Sequence, residues 1–490
     1  LNHPPHEPNE VLVMSDVTPF LLSGKPVTGD ETLSVTSPWD GSVVGEVSVP
    51  TDAQVEQAVT DLDAVRHEAQ ATPAHVRAAA LDHISARLSE RAEEIAALIT
   101  AENGKPLVWS RGEVTRAVST FRWAAEETRR FAGDLQRLDT DAAATGRIAV
   151  VRRFPRGPVL GIAPFNFPLN LVAHKVAPAI AVGAPILVKP APATPLSALL
   201  LGEIIAETDL PPRMVSVLPV PNERMSSLVT DPRLPVISFT GSGPVGLSLQ
   251  EQAPGKHITL ELGGDAAVIV TADWPDLSAA ASRIALFANY QAGQSCIAVQ
   301  RVLVHTDVYD AFVPELVSAV EALPTGDPTA EGVQVGPVIS DAAAERIIGW
   351  VAEAAEAGAS VLTGGTRDGR TVAPTVLADV PAGTKIAEEE VFGPVLYVAR
   401  YGDLDEAFAT VNSSKYGLQA GIFTTDVRTA FRAHRDLEVG GVIVGDVPSY
   451  RADQMPYGGW KQSGVGREGL RSAMNDLTEE RVMVLTGLDL

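Results

Sequence analysis

The chain has 490 residues, of which 61 are acidic and 38 basic, for a formal net charge of −23. That balance argues against nucleic acid and anionic membrane surfaces as partners, because both reward clustered Lys and Arg. The length exceeds the roughly 250–300 residues that one hydrophobic core usually supports, so at least two domains are expected.

No run of about 18 or more apolar residues marks a membrane span, and no charged start leads into an apolar stretch as in a secretion signal. Residues 1–13 carry three prolines and two histidines ahead of Met14. Residues 1–16 are therefore read as disordered or foreign to the native chain. Residues 20–50 hold short apolar runs between turn residues and read as small strands. Over 52–132, apolar residues recur at three- and four-residue spacing, predicting amphipathic helices broken near Thr72-Pro73 and Asn103-Gly104-Lys105-Pro106. Residues 146–153 read as a strand.

From about 157, short apolar strands alternate with helices. Strands are predicted at Pro158–Ile162, Ile186–Val188, Val215–Leu218 and Val236–Phe239, and helices at Asn170–Ala181 and Pro195–Glu207. After about 263 the alternation resumes. Strands are expected at Ala267–Val270, Arg301–His305, Ser360–Leu362, Val395–Tyr401 and Gly441–Val444. Helices are expected at Asp276–Tyr290, Val308–Leu323, Ala342–Ala357, Leu404–Asn412 and Val427–Arg435. Such alternation implies right-handed βαβ units and parallel sheets, here in two α/β domains. Thr478–Thr486 reads as a final strand.

Cys296 is the only cysteine in the chain. It has no partner for an intramolecular disulfide and no cysteine cluster for a metal. It is either a small buried hydrophobe or a nucleophile. One unpaired thiol without a secretion signal fits the cytoplasm. Three further segments carry chemistry. Gly241-Ser242-Gly243-Pro244-Val245-Gly246 follows a strand and precedes a helix, as a dinucleotide loop does, with Glu261 at the distance of a ribose-binding acid; a simple tight turn is the alternative. Asn166 lies in Pro164-Phe165-Asn166-Phe167-Pro168, where prolines fix an irregular loop. Its amide either donates to a reacting oxygen or satisfies its own loop. Glu261 lies in Thr259-Leu260-Glu261-Leu262-Gly263-Gly264. It is either a carboxylate of raised pKa, able to take a proton near neutrality, or a solvent-facing residue of an edge strand.

These segments, with Gly293-Gln294-Ser295-Cys296, Glu390-Val391-Phe392-Gly393-Pro394 and the run Pro456 to Glu468, occur in one order. From about residue 20 onward the chain resembles the NAD(P)-dependent aldehyde dehydrogenase superfamily. The resemblance implies an α/β fold of two parallel-sheet domains plus a small β oligomerisation flap. Residues 17–133 and 154–262 would form the dinucleotide-binding domain and 263–450 the catalytic thiol domain, with 451–477 returning to the active site and cofactor region. Residues 134–153 and 478–490 would be oligomerisation strands, giving a homodimer or homotetramer.

The same resemblance implies site roles. Cys296 would attack the aldehyde carbon, with the Asn166 amide and the Cys296 backbone N–H as oxyanion hole. Glu261 would be the general base, and Lys175 and Glu468 a proton relay to it. Lys189 would contact the adenosine ribose and Ser242 the pyrophosphate, while Glu390 and Phe392 would hold the nicotinamide ribose. Ile162, Ala163, Pro164, Phe165, Gly241, Gly246, Leu262 and Gly263 would complete the cofactor contacts. Glu261 is then not a ribose ligand. No metal is implied, and the partner is a small-molecule aldehyde.

Some positions depart from the family pattern. Pro192 stands where NAD-selective members often carry Glu, three residues after the lysine, and adds no negative charge against a 2′-phosphate. Acceptance of NADP as well as NAD is therefore expected. His174 stands where some semialdehyde-oxidising relatives carry Arg, which argues against succinate semialdehyde. Asp265 replaces a common Lys or Asn without evident consequence, and Gly445 replaces a common Asn, which would loosen the substrate-side loop. His174 and Tyr457 are read as substrate-tunnel residues, while among the other aromatics near the expected tunnel Phe165 is read as tunnel or core and Trp460 as core. Arg451, Asp453 and Gln454 are read as a plain surface loop, the alternative being that they line the tunnel mouth and favour a small polar aldehyde. Three other readings stay open. A CoA-acylating enzyme usually lacks the general-base glutamate, a thiol esterase needs no redox change, and a non-catalytic descendant would be expected to have lost Cys296, Asn166 or Glu261.

Overall fold

The computed structural model describes residues 17–487. The expectation for residues 1–16 and the end of the 478–490 segment lie outside the described residues. Two twisted sheets carry the fold. The first runs Lys25–Val27, Phe20–Leu22, Val215–Val217, Ile186–Lys189, Val159–Ile162, Val236–Thr240, His257–Glu261 and Gly464–Val465. Its five central strands are parallel, and the additions at both edges are antiparallel. The second sheet runs Ser360–Thr363, Thr375–Ala378, Val395–Tyr401, Arg301–His305, Ala267–Val270, Gln419–Phe423 and Gly441–Val444, with only the first strand antiparallel.

Near-continuous Val, Ile and Leu runs such as Ile186–Lys189 and Ala267–Val270 are buried on both faces, as parallel strands covered by helices must be. The predicted strands of both alternations form, with ends displaced by a residue or so. Two strands of the second sheet were not predicted, Thr375–Ala378 and Gln419–Phe423. The helical region divides into four helices, Asp52–Ala71, Ala74–Glu90, Ala92–Asn103 and Leu107–Arg130. The unpredicted break, at Arg91, falls where neither Gly nor Pro marks the sequence.

The helix Asn170–Val182 is buried on every side, between Leu107–Arg130, Ala74–Glu90 and the first sheet. It therefore carries His174 and Lys175 into the interior. The chain crosses from the first sheet to the second through Leu262-Gly263-Gly264, and Gly464–Val465 returns to pair with Leu260 and Glu261. A cavity opens at this seam. A separate three-stranded sheet of Asp134–Arg137, Arg147–Pro155 and Thr478–Thr486 stands apart. Among the described residues no helix is long and apolar enough to cross a membrane, and no cluster of His, Cys, Asp and Glu could hold a metal ion.

Candidate active site

Cys296 lies in the segment between the helix Leu277–Asn289 and the strand Arg301–His305. The turn before it is strained. Gln291 and Ala292 hold φ of 41° and 57°, in a left-handed region that costs a non-glycine residue of order 1–3 kcal/mol. Gly293 follows at 69°, where a Cβ would overlap the Gly393 carbonyl. Side chains brace the turn. Gln291 Nε2 and Asn166 Nδ2 both donate to the Gln294 carbonyl, at 2.8 and 2.9 Å. Ile339 N donates to Gln294 Oε1 at 2.9 Å, and the Tyr290 hydroxyl to Ser295 Oγ at 2.6 Å. Asn166 thus reaches across to the cysteine loop instead of satisfying its own. Asn103 Nδ2 holds the Asn166 loop from behind, donating to the Phe165 carbonyl at 2.7 Å.

The thiol is half-buried, with Sγ 3.0 Å from the Tyr457 hydroxyl. Burial pushes its pKa up to about 12, so this thiol does not ionise alone at neutral pH. Glu261 faces the same cavity from the end of its strand. It is buried, not the solvent residue of an edge strand, because Gly464 pairs beyond it. Neither carboxyl oxygen has a hydrogen-bond partner. Burial first, then the nearby Glu468 carboxylate, raises its pKa well above the ordinary value, against the pull of Arg451 and Lys175.

Lys175 donates to Thr240 Oγ1 at 2.7 Å and lies 3.6 Å from Glu468 Oε1. Burial lowers the ammonium pKa, and Glu468 works against that lowering. Glu468 also accepts from Arg451 Nη2 at 2.9 Å. Burial pushes Glu468 up, but Lys175 and Arg451 outweigh it and leave its carboxyl at about 2.

The cavity encloses about 260 Å³ between Trp109, Phe167, Phe287 and Tyr290 on one side and Cys296, Glu261 and Tyr457 on the other. Arg116, Arg283 and Arg451 also reach it. The 451–454 segment is not a plain surface loop: Arg451 and Asp453 are interior and only Gln454 is exposed. Asp453 Oδ1 accepts from Arg116 Nη2 at 2.9 Å and lies 3.1 Å from His174 Nε2. His174 sits behind these arginines and is buried. The missing arginine at position 174 does not leave the cavity without guanidinium groups, so its absence no longer counts against succinate semialdehyde. Arg283 is spent on Asp446, in two bonds of 2.7 and 2.9 Å, whereas Nε of Arg116 and Nε of Arg451 donate to no protein group.

Trp460 is not core. It stands half-exposed on a short strand paired with Tyr416–Gly417. Asp265 has a consequence after all: it is buried 3.2 Å from Arg301 and accepts from Ser414 Oγ. Gly445 holds φ 75°, a turn that glycine adopts without cost.

Of the proposed cofactor residues, Ile162, Lys189, Gly241 and Leu262 stand at the C-terminal ends of parallel strands of the first sheet, whereas Glu390 and Phe392 come from the segment before Val395–Tyr401 of the second. Lys189 Nζ donates to Asn222 Oδ1 at 2.6 Å, and burial lowers its pKa to about 8. Asn222 was missed, because nothing in its own turn marks it. Ser242 precedes the helix Gly243–Gln252 without capping it, so its exposed hydroxyl is free. Gly241 and Gly246 serve packing. A Cβ on Gly241 would meet the Phe239 ring at 2.6 Å, and one on Gly246 would meet Leu262. Glu390 is seated over Gly263, where any Cβ would overlap its carboxylate, and accepts from Gly264 N at 2.9 Å. Burial lifts Glu390 to about 7. Phe165 and Phe392 meet edge to face at 5.9 Å. Phe165 thus faces Phe392 and does not line the cavity with Tyr457.

Residues 26–483 match the aldehyde dehydrogenase family. The chain is 40% identical over 466 residues to 3-sulfolactaldehyde dehydrogenase of Priestia megaterium, covering 95% of this chain and 97% of that one. Its structure superposes on aldehyde dehydrogenase 21 from Physcomitrella patens in complex with the reaction product succinate. That match has a TM-score of 0.94 and 45% identity, covering 96% of this chain and 98% of the other. NADP-dependent glyceraldehyde-3-phosphate dehydrogenase from Bacillus halodurans, complexed with NADP, gives a TM-score of 0.93 at 35% identity, covering 96% and 100%. The chain is a member of the aldehyde dehydrogenase family, an enzyme of aldehyde oxidation.

Proposed function

We propose that this enzyme oxidises a small anionic aldehyde to its carboxylic acid with NAD(P), using Cys296 as nucleophile and Glu261 as general base. The observation that carries the reading is the buried, unpartnered Glu261 carboxyl facing the same cavity as the only thiol. Burial raises the pKa of that carboxyl and leaves it no competing hydrogen-bond partner, as a proton acceptor requires.

The donor set at the strand ends fits a dinucleotide. Lys189 offers an ammonium to ribose hydroxyls, and Ser242 with a helix N-terminus suits the pyrophosphate. Glu390 over Gly263 offers a carboxylate to the second ribose. When bound, the nicotinamide supplies the hydride acceptor. No negative side chain at Pro192 opposes a 2′-phosphate, which favours use of NADP, and the Bacillus relative is NADP-dependent.

The chain's own steps follow from the geometry. Sγ gives its proton to the Glu261 carboxylate and forms the S–C bond. The carbonyl oxygen becomes an oxyanion, stabilised by the Asn166 amide N–H not given to Gln294 and by the Cys296 N–H. Each such donor is worth about 3–4 kcal/mol. Glu261 then passes that proton on toward Lys175 and Glu468, and after oxidation to the thioester the freed carboxylate takes a proton from water, which attacks the acyl carbon. The C–S bond breaks and the acid leaves. Lys175 and Glu468 tune the charge of Glu261 and offer the proton an onward path.

The substrate class rests on the arginines. Arg116 and Arg451 line the cavity, and their guanidinium groups suit an anionic tail. The names of the three relatives carry sulfonate, succinate and phosphate groups, all anionic. A glutamate in the base position favours water over CoA as acyl acceptor. The exposed apolar residues of the three-stranded sheet support a homo-oligomer, and an unpaired thiol fits a reducing compartment such as the cytoplasm.

The test is an aldehyde panel, anionic and neutral, with NAD and NADP, reading reduced cofactor. Wild type should prefer anionic aldehydes and be indifferent to CoA. Cys296→Ala should abolish the reaction, and Glu261→Gln should slow both the first turnover and the steady-state rate. Full activity in Cys296→Ala would refute the reading.

A further inference from the structure

We propose that the Tyr457 hydroxyl is a catalytic group of this site, donating a hydrogen bond to the Cys296 sulfur whenever that sulfur carries negative charge. The inference rests on the nucleophile reading above. Oη lies 3.0 Å from Sγ, well within hydrogen-bonding distance for sulfur, and it is the phenol's only hydrogen-bond partner among the described residues.

The ring cannot easily turn away. It is buried in a small apolar cluster with Ile297 and Leu418. The Tyr457 N–H donates to the Glu468 carbonyl at 3.0 Å, and the Glu468 N–H donates to the Tyr457 carbonyl at 2.7 Å. On its face lies the Arg451 guanidinium, 3.8 Å from the ring centroid, itself tied to the Glu468 carboxylate. A cation over a phenol draws electron density from the ring and makes the hydroxyl a better donor.

The other charged groups around the thiol divide. Glu390 and Glu261 disfavour a thiolate, whereas Arg451 favours one. Against burial, the phenol is the strongest local influence favouring the anion. Hydrogen bonds to an ionised acceptor are roughly twice as strong as neutral ones. The bond therefore gains strength only when sulfur is charged.

Sulfur is charged twice in the cycle. In the first step the Sγ proton passes to Glu261 and a sulfur lone pair forms the S–C bond, while the carbonyl π pair moves to oxygen. In the last step the C–S bond breaks and its pair returns to sulfur. The phenol keeps its proton throughout. Between these steps the sulfur is neutral, so the hydride step gains nothing from Tyr457.

A bond that makes the thiol about tenfold more acidic raises the thiolate fraction about tenfold at a fixed pH below the pKa. The intrinsic nucleophilicity falls about threefold by the Brønsted relation, leaving a gain of about threefold, and a more acidic thiol also leaves faster.

Cys296 is the chain's only cysteine, so iodoacetamide alkylation followed by intact mass reads this thiol alone. The test compares full-length wild type with Tyr457→Phe across pH 7–9, with thermal midpoints measured in parallel. The expected result is alkylation about threefold slower in Tyr457→Phe at every pH, with an unchanged thermal midpoint. A purely steric role predicts the opposite, since removing the hydroxyl opens the approach to sulfur. Equal or faster alkylation in the variant overturns the proposal while leaving Cys296 as nucleophile. Retained activity in Cys296→Ala would instead remove the reading on which it rests.

Discussion

A buried carboxyl without a hydrogen-bond partner is a cost that a folded protein bears for chemistry, and Glu261 bears it here. Its folded pKa is raised, by burial and then by Glu468. The stability associated with its protonated form is therefore fully present below the unfolded value of about 4.3 and is lost as pH rises through the folded value. Glutamine occupies the same volume without titrating. Glu261→Gln should match wild type in thermal midpoint below the unfolded value of about 4.3 and exceed it increasingly as pH rises above that value. The gap should grow by about 1.4 kcal/mol per pH unit until the folded carboxyl ionises. Differential scanning calorimetry across that range checks it, and a gap that does not widen with pH would contradict the raised pKa. At this scale, the residues legible in sequence were those embedded in short, distinctive loops: Cys296, Asn166 and Glu261. Arg116, Arg451 and Asp453 were not, because they meet only through packing between a helix and a loop 337 positions apart.

At the scale of elements, apolar runs and helical spacing located the long helices and the inner strands of both sheets, except Thr375–Ala378 and Gln419–Phe423. Thr375–Ala378 was missed because four residues behind a proline carry no periodicity. Gln419–Phe423 was missed because Gln, Ala and Gly begin it, and only the neighbouring strands bury them. Trp460 was misplaced for a related reason. Its two-residue strand pairs with Tyr416–Gly417, a contact no local pattern announces. The loop after Ile186–Lys189 makes a prediction about the cofactor. Pro192 is only half-buried there, so a longer acidic side chain can be accommodated. In Pro192→Glu the added carboxylate should repel a 2′-phosphate and raise KM for NADP about tenfold, equivalent to about 1.4 kcal/mol. KM for NAD should hold or fall. Initial rates with both cofactors decide, and parallel changes in the two KM values would sink the electrostatic account.

For the whole molecule, the three-stranded sheet is the part that a lone protomer does not explain. From Glu479 to Thr486 every side chain of its edge strand is exposed, including Val482, Met483, Val484 and Leu485, and Leu135 on the opposite edge is 68% exposed. Alternate residues of a strand point to opposite faces, so both faces of this sheet show hydrocarbon to solvent. An exposed edge also leaves a row of backbone donors and acceptors to be paired. A charge of −23 on each protomer would oppose a homo-oligomer built through this sheet, so apolar contact and strand pairing would have to outweigh the repulsion, and any such assembly should strengthen with salt. Replacing Val482 and Val484 together by Lys places two ammonium groups on one face without touching the cavity. Sedimentation velocity should then show the species shifting to the single protomer, while alkylation of Cys296 proceeds as in wild type. An unchanged sedimentation coefficient would mean that the assembly is held elsewhere and that this sheet faces water for some other reason.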